Sequence, residues 1–170
     1  MRNILLIATM AISLYSCADA NSSAANTREA REERNKKIAL AAVQAFETGK
    51  IDSVFKDVDP EAVDYMEGSM APIKGVDNSK ANLKTWIAAV PNYKGTDFVA
   101  VADGDYVMIY GEWSGTWQNE FMGMKPTGRS FTVKDVDIFK FNEEGKIIEH
   151  RSVQSNNEAA RQLGMTLSTL

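Results

Sequence analysis

Four β-patterned runs, at residues 96–102, 106–117, 130–141 and 146–154, constrain this chain more than any other feature. Each is rich in aromatic and β-branched residues. They are separated by Asp103-Gly104-Asp105, by a Gly/Pro turn at 123–128 and by Glu143-Glu144-Gly145, short connections that fit an antiparallel meander. Runs of about 12 residues exceed the usual strand length, so the sheet is expected to be long and strongly curved.

Helical periodicity precedes the strands. Thr27 can cap a helix with Ile38, Ala41, Ala42, Ala45 and Phe46 on one side, ended by Gly49. Its early part, 28–37, is densely charged and reads as solvated. A short helix is expected over 51–58, stopped by Asp59-Pro60, then a short strand over 62–67 and a loop over 68–75. Asp77 can cap a second long helix through Ala89, with Leu83, Trp86, Ile87 and Val90 inward and Pro91 closing it. Helices first and strands afterwards give an α+β class: a cone-shaped barrel of strongly curved antiparallel sheet with N-terminal helices on its concave face.

The last two runs carry charges at period two. If Glu143-Glu144-Gly145 is a three-residue hairpin loop with Gly145 left-handed, Asn142 pairs with Lys146. Phe139 then faces Glu149, Asp137 faces Arg151 and Asp135 faces Val153. Opposed Cβ atoms lie about 5 Å apart, within ion-pair reach for Asp137 and Arg151. Loss of Arg151 from a buried pair would cost on the order of 3 kcal/mol. In this register His150, the only histidine, falls on the opposite face, as expected of a surface or interface residue. Either the charged face lines a polar site or it meets solvent, because a packed core excludes unpaired charge.

A net charge of −4 and the lack of a basic patch disfavour nucleic-acid binding. The start of the chain reads as an export signal. A basic Met1-Arg2-Asn3 precedes an apolar run over 4–15 that is too short to span a bilayer, and Leu14-Tyr15-Ser16-Cys17 resembles the lipobox of bacterial lipoproteins. Cys17 is the only cysteine, so it has no internal disulfide partner, and lipidation accounts for it. The expected organisation is a signal peptide at 1–16, a flexible tether at 17–26 and one domain at 27–170, held at the bacterial cell envelope by a lipid at Cys17. One His and scattered carboxylates offer no familiar metal spacing, and no cofactor motif is evident.

Gly123 to Arg129 (Gly-x-x-Pro-Thr-Gly-Arg), Asp137-Ile-Phe-Lys-Phe, Gly145-Lys-Ile-Ile-Glu-His and Gln162-Leu-Gly164, in that order and spacing, resemble the SnoaL-like polyketide cyclases and the wider nuclear-transport-factor-2-like superfamily. The resemblance covers residues 38–164. It implies a conical α+β barrel, a pocket between helices and concave sheet, and homodimers through the sheet's outer face. In cyclising members a late carboxylate acts as general acid/base, with a Trp four residues earlier and a His on the neighbouring strand. Those positions fall here on Ser155, Arg151 and Asp135, so all three depart. A serine without an adjacent base cannot shuttle protons near neutral pH, and aldol-type cyclisation is not supported.

The expected function is binding of a small organic ligand in a partly charged pocket lined by Tyr65, Trp113, Trp117, Asp135, Asp137, Arg151 and Ser155, with Arg151 recognising an anion or holding the site together. Trp86 and Phe121 are further wall candidates, and Met122 and Met124 a lip. The alternatives are an enzyme of a small carbonyl compound, an isomerase, hydrolase or cyclase with Asp135 or Asp137 as base, and a dimeric interaction module without ligand. For Asp135, burial would raise the pKa and a nearby Arg151 would lower it, and sequence does not rank the two.

Overall fold

The computed structural model describes residues 18–65, 71–153 and 156–165. The expected signal segment, Cys17 and Ser155 lie outside them. The described elements are α1 (Ala18–Ala45), a 3-10 turn (Phe46–Thr48), α2 (Ile51–Val54), β1 (Val58–Tyr65), β2 (Ile73–Lys74), α3 (Val76–Ala89), β3 (Lys94–Asp103), β4 (Tyr106–Thr116), β5 (Ser130–Phe141), β6 (Ile147–Ser152) and α4 (Asn156–Leu163). The class is α+β, and the curved six-stranded sheet runs β2-β1-β6-β5-β4-β3 without closing on itself.

The four long strands fall where alternation places them, but the sheet is mixed. β1 pairs with β6 in parallel, Asp64 beside His150 and Tyr65 beside Arg151. The Asp59-Pro60 pair, expected to stop a helix, sits inside β1 where its register against β6 shifts between Val58 and Val63. An irregular stretch tolerates the missing N–H of proline.

α1 begins at Ala18 rather than at Thr27, so the segment expected as a tether is helical from there. Alanine supplies helix propensity without needing an apolar face. The charged part of α1 is docked rather than merely solvated. Arg28 bonds Asp103, Glu32 accepts from the Gly104 amide at 2.7 Å, and Arg31 lies 3.8 Å from Asp105, all at the β3–β4 turn. Arg34 covers the β5–β6 turn so closely that a Cβ on Gly145 would meet its guanidinium carbon at 2.7 Å.

Gly75, not Asp77, is the N-cap of α3. The C-terminal carbonyls of α3 are satisfied from the 118–128 connection: the Gln118 and Asn119 amides donate to Ala89, and the Asn119 side chain donates to Ala88 at 2.8 Å. α4 was not anticipated, and it explains the Gln162-Leu-Gly164 motif. Beyond the end of β6, the Gln162 amide bonds both the N–H and the C=O of Thr132 on β5. Leu163 is buried, and Gly164 at φ 71° terminates the helix.

The core lies between α1, α3 and the inward face of β3 to β5. It centres on Trp113, Trp117, Phe131, Phe139, Phe141, Ile109 and Val43. A ring of edge and stacked contacts joins Phe46, Trp86, Tyr93, Phe98, Trp113, Phe121 and Phe131. Gly115 lets α3's end approach, since a Cβ there would lie 2.3 Å from Val90 Cγ1.

Candidate functional site

β5 sends Phe131, Val133, Asp135, Asp137, Phe139 and Phe141 inward, so strict alternation carries two carboxylates onto the core face. Both are buried, at 5% and 6% exposure. Their partners depend on the register of β6. The turn forms as the sequence predicts: Asn142 pairs with Lys146, its amide donating to the Lys146 carbonyl at 3.0 Å, and Gly145 is left-handed at φ 82°. One residue later the register changes. Phe141 pairs with Ile147, but Lys140 pairs with Glu149, Phe139 with His150, Ile138 with Arg151 and Asp137 with Ser152, leaving Ile148 as the extra residue of a bulge.

That bulge reverses the facing of all residues beyond it. The expected Asp137 to Arg151 pair does not form. Arg151 points to the outer face, where it bonds Glu149 at 3.2 Å and lies 4.5 Å from the centre of the Tyr65 ring. Tyr65 and Arg151 are therefore corrected from lining residues to an outer-face stack. His150, expected on the other face, turns inward instead. The available signal was the Ile147-Ile148 doublet, two adjacent apolar residues where alternation demands one.

His150 bridges two strands. Nδ1 lies 2.9 Å from Asp64 Oδ1 on β1 and Nε2 lies 3.3 Å from Asp137 Oδ1 on β5. Carboxylates only accept, so both ring nitrogens must carry protons to make both bonds, and the ring is an imidazolium. Burial opposes that charge, but the Asp137 and Asp64 bonds outweigh it and push the pKa up to about 10. Asp64 escaped the sequence reading because nothing local announces a parallel neighbour.

Asp135 has a different environment. It accepts from the Ser152 hydroxyl and from the Val136 amide. Burial raises its pKa; the Ser152 bond offsets part of this, and the Asp137 charge adds to it. With Arg151 facing away, the competition left open by the sequence is decided in favour of burial. Tyr93 completes the group. Its ring stacks on Trp113 at 5.6 Å, and its phenol is held well above the ordinary range by burial and then by the charges of Asp137 and Asp135. Trp113 is buried and its Nε1 has no hydrogen-bond partner among the described residues; Trp117 donates to the Asn119 carbonyl at 2.6 Å. Both tryptophans belong to the core, and Trp86 and Phe121 pack against it. Met124 packs on the core, whereas Met122 is 67% exposed. A surface groove of about 550 Å³ lined by Glu29, Ala30, Glu32, Glu33, Lys36 and Ala102 shares none of these groups.

The arrangement places Asp135, a carboxyl whose pKa burial raises, beside the ion pair of Asp137 and His150. A helix-covered curved sheet holding such a polar cluster on its concave face defines the class of small α+β cone proteins. Residues 36–163 match the model of the SnoaL-like polyketide cyclase family, and the chain belongs to that family.

Solved structures agree on the fold. A SnoaL-like protein from Jannaschia sp. CCS1 superposes with a TM-score of 0.72 at 19% identity, covering 79% of this chain and 94% of that one. A protein with a polyketide-cyclase designation from Xanthomonas campestris pv. campestris gives 0.71 at 15% identity, covering 78% and 98%. An LEH-like epoxide hydrolase of M. tuberculosis gives 0.62 at 14% identity, covering 78% and 90%. No curated protein sequence matches the chain.

Proposed function

We propose that this protein is an envelope-anchored SnoaL-like domain that binds a small organic ligand at the Asp135, Asp137 and His150 cluster. One observation carries the reading: three ionisable side chains converge on the core face of the sheet, where packing alone would select hydrocarbon. The family's small-molecule chemistry and the fold neighbours support the same use of this face. A thermal-shift screen of small aromatic and alicyclic compounds tests it; compounds that bind should stabilise the wild type and lose their effect in Asp137→Asn. A screen in which no compound stabilises the wild type would remove the reading.

Catalysis on a small carbonyl compound is the second reading, favoured by the raised pKa of Asp135. Turnover that survives Asp135→Asn would exclude Asp135 as the base. The outer sheet face presents Val99, Val101, Tyr106, Met108 and Tyr110, each at least 41% exposed, and a second copy of the chain is the proposed cover. Tyr110→Lys should convert a dimer to a monomer in sedimentation. Anchoring through Cys17 is read from the lipobox, and Cys17→Ala should move the protein from the membrane to the soluble envelope fraction.

A further inference from the structure

Resting on the ligand-site reading above, the charge balance of the cluster narrows the class of ligand. Three carboxylates, Asp64, Asp135 and Asp137, face a single imidazolium, and His150 is already shared between Asp64 and Asp137. Asp135 has only a hydroxyl and a backbone amide as partners. The cation that alternation would have aimed here is elsewhere: Arg151 pairs with Glu149 on the outer face, where Lys140 also lies, 3.0 Å from the same Glu149. Among the described residues no Lys or Arg forms an ion pair with Asp135 or Asp137. A second observation concerns hydrogen bonding: the Tyr93 hydroxyl, its ring stacked on Trp113, makes no hydrogen bond among the described residues, and its oxygen can accept one.

We propose that the site recognises a small organic ammonium with an apolar body, its N–H groups donating to Asp135 and the Tyr93 oxygen. An ammonium offers three donors and no acceptor, which matches the Asp135 carboxyl and the Tyr93 oxygen. It supplies the positive charge that Asp135 lacks. The apolar body finds Tyr93, Trp113 and Phe139, and aromatic faces favour a neighbouring cation. Burial and the Asp137 charge raise the pKa of Asp135 further than its two hydrogen bonds and the His150 charge lower it, as expected of a carboxylate only partly compensated. An anionic ligand, by contrast, would bring a further negative charge to carboxylates already in excess.

The test uses three compounds of similar shape and different charge, 2-phenylethylamine, 2-phenylethanol and phenylacetate, titrated into ¹⁵N-labelled protein at neutral pH. The amine should perturb the amides of Val136, Ser152 and Tyr93 with an affinity at least about tenfold above the alcohol, the worth of one pKa unit of interaction, and phenylacetate should bind most weakly. Asp135→Asn should remove the preference of amine over alcohol. Phenylacetate binding as tightly as the amine overturns the charge inference and leaves the ligand site standing. No perturbation by any of the three overturns the site and this inference together. The wild-type ratio of amine to carboxylate decides the matter even if the Asn variant fails to fold.

Discussion

Between pH 6 and pH 9.5 the stability of this protein should fall because of one residue. His150 is an imidazolium in the folded state with its pKa pushed from 6.5 to about 10 by Asp137 and Asp64. A group whose folded pKa exceeds its unfolded value contributes fully below the unfolded pKa and loses that contribution as pH rises to the folded one. The nominal span corresponds to about 5 kcal/mol at 1.36 kcal/mol per unit. The ring is 30% exposed and Asp64 25% exposed, so solvent screening reduces this to about 2 kcal/mol. Asp135 acts in the same direction, since a carboxyl whose folded pKa is raised loses stability as pH climbs from 3.8 through that folded value. Urea titrations followed by tryptophan fluorescence at pH 6, 7, 8 and 9.5 should show the wild-type unfolding free energy dropping by about 2 kcal/mol, and His150→Gln should flatten the profile. A flat wild-type profile, or an unchanged slope in His150→Gln, would refute the bridging imidazolium.

Arg151→Ala should cost below about 1 kcal/mol in denaturant melts, because its partners are a half-exposed ion pair and an outer-face ring; a loss near 3 kcal/mol would restore the buried pair that alternation predicts. Asp135→Asn should stabilise the protein by about 1 kcal/mol at neutral pH, since it removes a buried carboxylate that burial penalises; destabilisation would mean the charge is better compensated than its partners indicate. Gly115→Ala should lower stability by about 2 kcal/mol or more, because the new methyl meets Val90 at 2.3 Å. Gln162→Leu should cost about 1 to 2 kcal/mol by leaving the Thr132 backbone unpaired, seen as faster amide exchange at Thr132.

The class of fold, the four long strands and the β5–β6 turn were written in the sequence, because period-two alternation and turn chemistry act over a few residues. The same local rule placed Asp135 and Asp137 together on the inner face of β5 without any knowledge of their neighbours. Partnership was decided elsewhere. Asp64 meets His150 only because β1 lies parallel to β6, a contact between residues 86 positions apart that no window on the chain contains. Arg151 and His150 exchanged faces because a single extra residue at Ile148 shifts the ladder, and the energy that selects such a bulge comes from packing across the whole sheet. Alternation tells which residues share a side, but the side itself is assigned by tertiary contacts. That assignment turned a site expected to hold an arginine into one built around carboxylates and an imidazolium.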